Sequence, residues 1–106
     1  MDWSPATEPF IYDQIRVDEA QMSADELRIW KCVAITPVKW ALKPRGDLTG
    51  DFWVVAICGR SVIWYNDIED GFDISPYSSF GEIDVYYAGQ YELRHVMQQI
   101  IERISD

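Results

Sequence analysis

Two apolar runs dominate the middle of the chain, Phe52–Cys58 and Ser61–Asn66, joined by Gly59-Arg60. Glycine at the first central position predicts a two-residue type II′ hairpin. That turn pairs Cys58 with Ser61, Ile57 with Val62, Ala56 with Ile63, Val55 with Trp64, Val54 with Tyr65 and Trp53 with Asn66. Alternation then puts Phe52, Val54, Ala56, Cys58, Ser61, Ile63 and Tyr65 on one face of the sheet. Trp53, Val55, Ile57, Val62, Trp64 and Asn66 take the other. Both faces are largely apolar, so these strands are expected in a sheet covered on both sides, or with one face at a subunit interface.

Other elements follow from period and punctuation. Residues 1–9, with Pro5 and Pro9, read as a loose N-terminal arm on which Trp3 can still dock. Residues 10–17 (FIYDQIRV) fit a strand or a helix. Ser23-Ala24-Asp25-Glu26 is a capping box, which predicts a helix from Ala24 although 29–35 also alternates as a strand. Pro37 limits that helix. Val38, Trp40 and Leu42 alternate with Lys39, Ala41 and Lys43, a strand with one wet face. Residues 43–50 are a loop by composition, and 66–71 are turn-like. Ser75-Pro76 can open a short helical turn that Gly81 ends. Ile83, Val85 and Tyr87 alternate as a further strand. Leu93, Val96, Met97, Ile100, Ile101 and Ile104 form the apolar stripe of a helix over 91–104.

The expected fold is therefore α+β. An antiparallel sheet of about four strands (38–42, 52–58, 62–66 and 83–87) carries the capped helix and the C-terminal helix. A length of 106 residues suits one domain over 1–106 and is short for two. A hydrophobic content of 48% is enough for a core. No apolar run approaches the roughly 18 residues of a membrane span. The first residues show no basic and apolar leader. Cys32 and Cys58 stand apart without metal-ligand spacing, and read as small buried hydrophobes of a reducing, cytoplasmic protein.

Charge sharpens the picture. Eighteen Asp and Glu against nine Lys and Arg give a formal net charge of -9. That disfavours binding to a nucleic-acid backbone or to an anionic membrane surface. The excess is placed unevenly. Between Arg60 and Arg94 there is no Lys or Arg, while Asp67, Glu69, Asp70, Asp73, Glu82, Asp84 and Glu92 all fall there. Lys39, Lys43, Arg45 and Arg60 precede that interval. With Tyr65, Tyr77, Tyr86 and Tyr87 around them, these acids make a candidate surface for a basic partner, since charge steers encounter and aromatics supply contact area. The same acids also serve simply to keep a small protein soluble.

Other chemistry is thin. Residues 66–71 (NDIEDG) carry oxygen ligands in a turn, but with Gly71 at the sixth position of an EF-hand loop, Ile68 and Tyr77 occupy ligand positions. No metal and no cofactor is expected. His95 is the single histidine and falls on the polar face of its helix, so a catalytic pair with Cys58 has no support. No nucleophile elbow, dinucleotide fingerprint, P-loop or zinc-protease motif occurs. Trp53, Trp64 and Asn66 share one face in the register above. Aromatics beside an amide fit a small-ligand pocket, while indoles on central strands also fill cores, each N–H finding one acceptor.

Phe52-Trp53-Val54-Val55-Ala56, the run Trp64 to Phe72, and Gly81-Glu82-Ile83, together with Glu26-Leu27 and Trp40, resemble a group of small uncharacterised bacterial proteins. The resemblance covers about 23–95. It implies a bacterial source and a stand-alone domain, and no activity.

The leading expectation is a small acidic, non-enzymatic binding protein of the inhibitor, immunity or adaptor type. It would meet a basic partner protein through Tyr65, Asp67, Glu69, Asp70, Asp73, Glu82, Asp84 and Tyr86. One alternative is a small-molecule or catalytic domain with a pocket near Trp53, Trp64 and Asn66. Another is a homodimer joined through a sheet face that lacks a helix.

Overall fold

Thr7 opens the first helix. Its hydroxyl accepts from the Phe10 N–H, and Pro9 sits in the first turn, where a missing N–H costs nothing. Helix α1 runs Glu8–Glu19 in the computed structural model, which describes residues 4–42 and 51–105. Trp3 and the loop read at 43–50, with Lys43 and Arg45, lie outside the described residues. The arm expected to be loose is tied down over its described part. Ala6 donates its N–H to Asp67 and accepts the Trp53 indole N–H, each at 2.8 Å.

The capping box forms as read. Ser23 Oγ accepts from the Glu26 N–H, and Glu26 accepts from the Ser23 N–H at 2.8 Å. Helix α2 (Ala24–Val33) then passes directly into strand β1 (Ala34–Leu42). Pro37 lies inside β1, between Ala34 and Val38, where the pairing with β2 is irregular and no regular ladder bond is forfeited. Trp40 and Leu42 are buried as expected, whereas Val38 is exposed.

Strands β2 (Phe52–Cys58) and β3 (Ser61–Asn66) form the expected hairpin. Gly59 has φ +61° and Arg60 stays at negative φ, as a type II′ turn requires. The register holds from Cys58↔Ser61 to Ala56↔Ile63 and then slips, so that Val54 faces Trp64 and Trp53 faces Tyr65. The irregularity is one extra residue in β2, a β-bulge at Val55-Ala56. Both of these side chains join the core beneath the helices, and the alternation reverses beyond them. Phe52 and Val54 therefore share a face with Ile57, Val62 and Trp64. Trp53 is sent to the helix side with Ile63 and Tyr65.

Strand β4 (Gly71–Pro76) pairs antiparallel with β3 and replaces the helical turn read at Ser75-Pro76. The Ser75 hydroxyl is engaged elsewhere, accepting the Trp64 indole N–H at 2.9 Å. The strand read over 83–87 shortens to β5 (Glu82–Ile83), which pairs parallel with β1. The sheet is thus five-stranded and mixed, in the order β4-β3-β2-β1-β5, rather than four-stranded and antiparallel.

The three helices of the described residues cover one face. Ile11 of α1, Trp30 of α2, and Leu93, Val96, Met97 and Ile100 of α3 (Leu93–Ser105) pack on Val55, Ile63 and Phe72. The other face holds Trp40, Phe52, Val62 and Trp64. It is covered by the chain's own return path after β4, with Tyr77 and Phe80 against Trp40 and Tyr86 against Trp64. The face that lacks a helix, the one expected to serve a homodimer, is thus covered by the chain's own loop residues. Cys58 is half-buried, but Cys32 is exposed, contrary to the reading of both as buried. Among the described residues, no helix is long and apolar enough to cross a membrane.

Candidate functional site

The β3–β4 turn is organised by Asn66, whose side chain is fully buried. Its Oδ1 accepts from the N–H groups of Ile68 (3.0 Å) and Glu69 (3.2 Å), while its Nδ2 donates to Tyr87 O (3.0 Å). This is the Asx arrangement that makes Asn a turn former. Asp70 completes the turn at φ 58°, a left-handed conformation that Asp and Asn adopt more readily than most residues. Gly71 follows because a Cβ there would lie 2.3 Å from Gln90 Cα. Gln90 in turn donates its side-chain N–H to Glu69 O at 2.8 Å.

The turn places Asp67 and Asp70 beside the N-terminal segment. A cleft of about 300 Å³ opens there, lined by Pro5, Ala6, Phe10, Tyr65, Asp67 and Asp70 among others. The Phe10 and Tyr65 rings meet edge to face at 5.6 Å. The Tyr65 hydroxyl donates to Asp70 Oδ1 at 3.5 Å. Burial, reinforced by the Asp70 charge, pushes the Tyr65 phenol up to about 12. Burial also lifts the Asp67 carboxyl above its ordinary value, against the opposing pull of the Ala6 N–H and of Lys39. The Lys39 ammonium itself lies over the Trp53 ring, 5.2 Å from its centroid. The cleft is a partly desolvated pocket of negative potential with aromatic walls.

The eight residues read as one acidic-aromatic surface separate into groups. Tyr65, Asp67 and Asp70 come together in the cleft, with Glu69 next to them in the turn. Asp73 is buried on β4 at 2% exposure. Glu82 lies on β5, at the opposite edge of the sheet from β4. Asp84 follows it and accepts from Ser78 Oγ at 2.6 Å. Tyr86 packs on Trp64 with ring centroids 6.0 Å apart.

The structure does not bring Trp53 and Trp64, two residues of the alternative pocket, together. The bulge puts Trp53 and Trp64 on opposite faces, each indole N–H is taken up by a protein acceptor, and the Asn66 side chain bonds to its own turn and to Tyr87 O. His95 is exposed and stands 3.8 Å from Glu92. Among the described residues, no three His, Cys, Asp or Glu side chains gather in a way that could hold a metal ion.

Sequence reasoning missed Phe10 and the segment before it as parts of the cleft. The signal was present in Thr7-Glu8-Pro9-Phe10, a hydroxyl cap with proline in the first turn, which favours the helical reading of 10–17. No family model, curated protein or solved structure matches the chain.

Proposed function

We propose that the protein is a non-catalytic binding protein, of the inhibitor or adaptor kind, for a basic protein partner. In this reading a lysine or arginine side chain of the partner enters the Asp67–Asp70 cleft. The observation that carries it is the placing of two carboxylates, Asp67 and Asp70, in one cleft beside the Phe10 and Tyr65 rings. An inserted cation would meet the Phe10 and Tyr65 rings as well as the carboxylates. The net charge of -9 would speed encounter with such a partner.

The test is an amide NMR titration of the full chain with a capped lysine- and arginine-rich peptide. The amides of Ala6, Asp67 and Asp70 should shift, the affinity should fall as salt is raised, and Asp70→Lys should abolish the shifts. Asp70 is exposed, so that variant is expected to fold. Equal binding by Asp70→Lys, or shifts confined to other parts of the chain, would sink the reading.

A further inference from the structure

A second cleft, of about 330 Å³, follows the outer edge of β4. It lies between α3 and the return path after β5, and is lined by Asp73, Ile74, Tyr87, Tyr91, Gln99 and Arg103 among others. Asp73 is the unusual member. It is 2% exposed; its Oδ1 accepts from the Gly89 N–H at 2.9 Å, and its Oδ2 has no hydrogen-bond partner among the described residues. A carboxylate held this way is expensive, because burial removes its water and no cation replaces it. The effect is visible in its proton affinity, which burial, with the Glu69 charge adding, raises to about 6. Proteins keep such groups chiefly where a ligand uses them.

The opposite charge is present in the same cleft. Arg103 stands in the last turn of α3, exposed and without an ion pair among the described residues. Gln99 adds an amide one turn earlier. Between these polar groups the lining is aromatic and aliphatic, from Tyr87, Tyr91 and Ile74. A cavity of this size sits at the lower end of the range for small-ligand sites.

We propose that this cleft binds a small zwitterion, a free α-amino acid, with its ammonium group on the unpartnered Asp73 oxygen and its carboxylate on Arg103. A lone amine would satisfy Asp73 and leave Arg103 unused, and a lone carboxylate would do the reverse. The site is separate from the Asp67–Asp70 cleft and stands whether or not a basic partner binds there. A ligand of about ten non-hydrogen atoms in a half-open cleft is expected to bind with a Kd in the micromolar to millimolar range.

The experiment is an amide NMR titration of the full chain with the free L-amino acids, each up to about 10 mM, beside the matched amine and the matched carboxylic acid. At least one amino acid should give saturable shifts at Gly89 and Tyr91, with each one-charge analogue weaker by about tenfold or more. Asp73→Asn should weaken binding by about tenfold or more while the spectrum stays folded, and Arg103→Gln should weaken it as well. Asp70→Lys should leave the affinity within about twofold, which separates this site from the basic-partner cleft. No saturable shift with any amino acid, or undiminished binding by a folded Asp73→Asn, would overturn the assignment.

Discussion

Asp18 of α1 caps the C-terminal helix across 75 positions of sequence, its Oδ2 accepting from the buried Leu93 N–H at 3.0 Å. Its other oxygen accepts from Gln14 at 3.0 Å. The first turn of α3 contains no acidic residue of its own. The carboxylate therefore supplies from another helix both the acceptor and the negative charge that a helix N-terminus favours. It also joins the two ends of the domain. Asp18→Ala should lower stability by about 1–3 kcal/mol, combining a lost cap with a buried donor left unsatisfied. Urea unfolding measures this, and an unchanged midpoint would show that the bond does not anchor α3.

Asp73 carries a pH dependence whose sign is opposite to that of most native carboxylates. Its folded value is raised from 3.8 to about 6, so between those values the folded chain holds a proton that the unfolded chain has released. Stability at this site is then greatest below the unfolded value and declines as pH rises through the window. Asp73→Asn removes the penalty. It should be more stable than the parent at neutral pH, by about 1–2 kcal/mol after allowance for solvent screening. It should also show a flatter urea midpoint across that window. A less stable variant at neutral pH would contradict the cost assigned to this carboxylate. Glu26 acts in the opposite direction. The Gln98 side chain, followed by the Ser23 N–H, lowers its carboxyl below 4.5, so its contribution is lost only as pH falls through that lowered value.

The two tryptophans of the central hairpin should respond differently to truncation. Trp64 is fully buried between Phe52 and Tyr86 and donates to Ser75. Trp64→Ala should cost about 3–5 kcal/mol. Trp53 is only partly buried, and its distinctive contact is the bond to Ala6 O. Trp53→Phe keeps most of the ring and should cost about 1 kcal/mol. Its marked effect should be faster hydrogen exchange at Ala6, as the N-terminal segment loosens. Equal losses in these two variants would contradict the placement of the indoles on opposite faces.

Gly71 is expected to tolerate no side chain. A Cβ there would lie 2.3 Å from Gln90 Cα and 2.6 Å from its carbonyl carbon, both backbone atoms that cannot swing aside. Gly71→Ala should destabilise by about 1–3 kcal/mol. It should also raise amide exchange at Phe72 and Tyr91, whose reciprocal backbone bonds of 2.8 and 3.2 Å close the sheet edge beside it. Protection at those two amides equal to the parent would show that the backbone there can separate freely.

What the sequence determined by itself was local in origin. The Ser23–Glu26 capping box, the Gly59-Arg60 turn and the apolar stripe of the C-terminal helix each depend on residues a few positions apart. The first two appear as read, and the stripe is buried from Leu93 to Ile100 while Ile104, read as part of it, is exposed. The bulge at Val55-Ala56 marks where that reading stops. One extra residue leaves the composition of β2 unchanged, yet it reverses every side chain beyond it, and so Trp53 parts from Trp64. The course of 71–91 was misread for a related reason. Its strands are too short and too polar to declare themselves, and they form because β3 and β1 offer edges to pair with. The candidate sites belong wholly to this second class. Asp67 meets Ala6, Asp73 meets Gly89 and Asp18 meets Leu93 only after the chain has folded. Which carboxylates lose their water, and which remain a solvated excess of charge, was decided there by segments far apart in sequence.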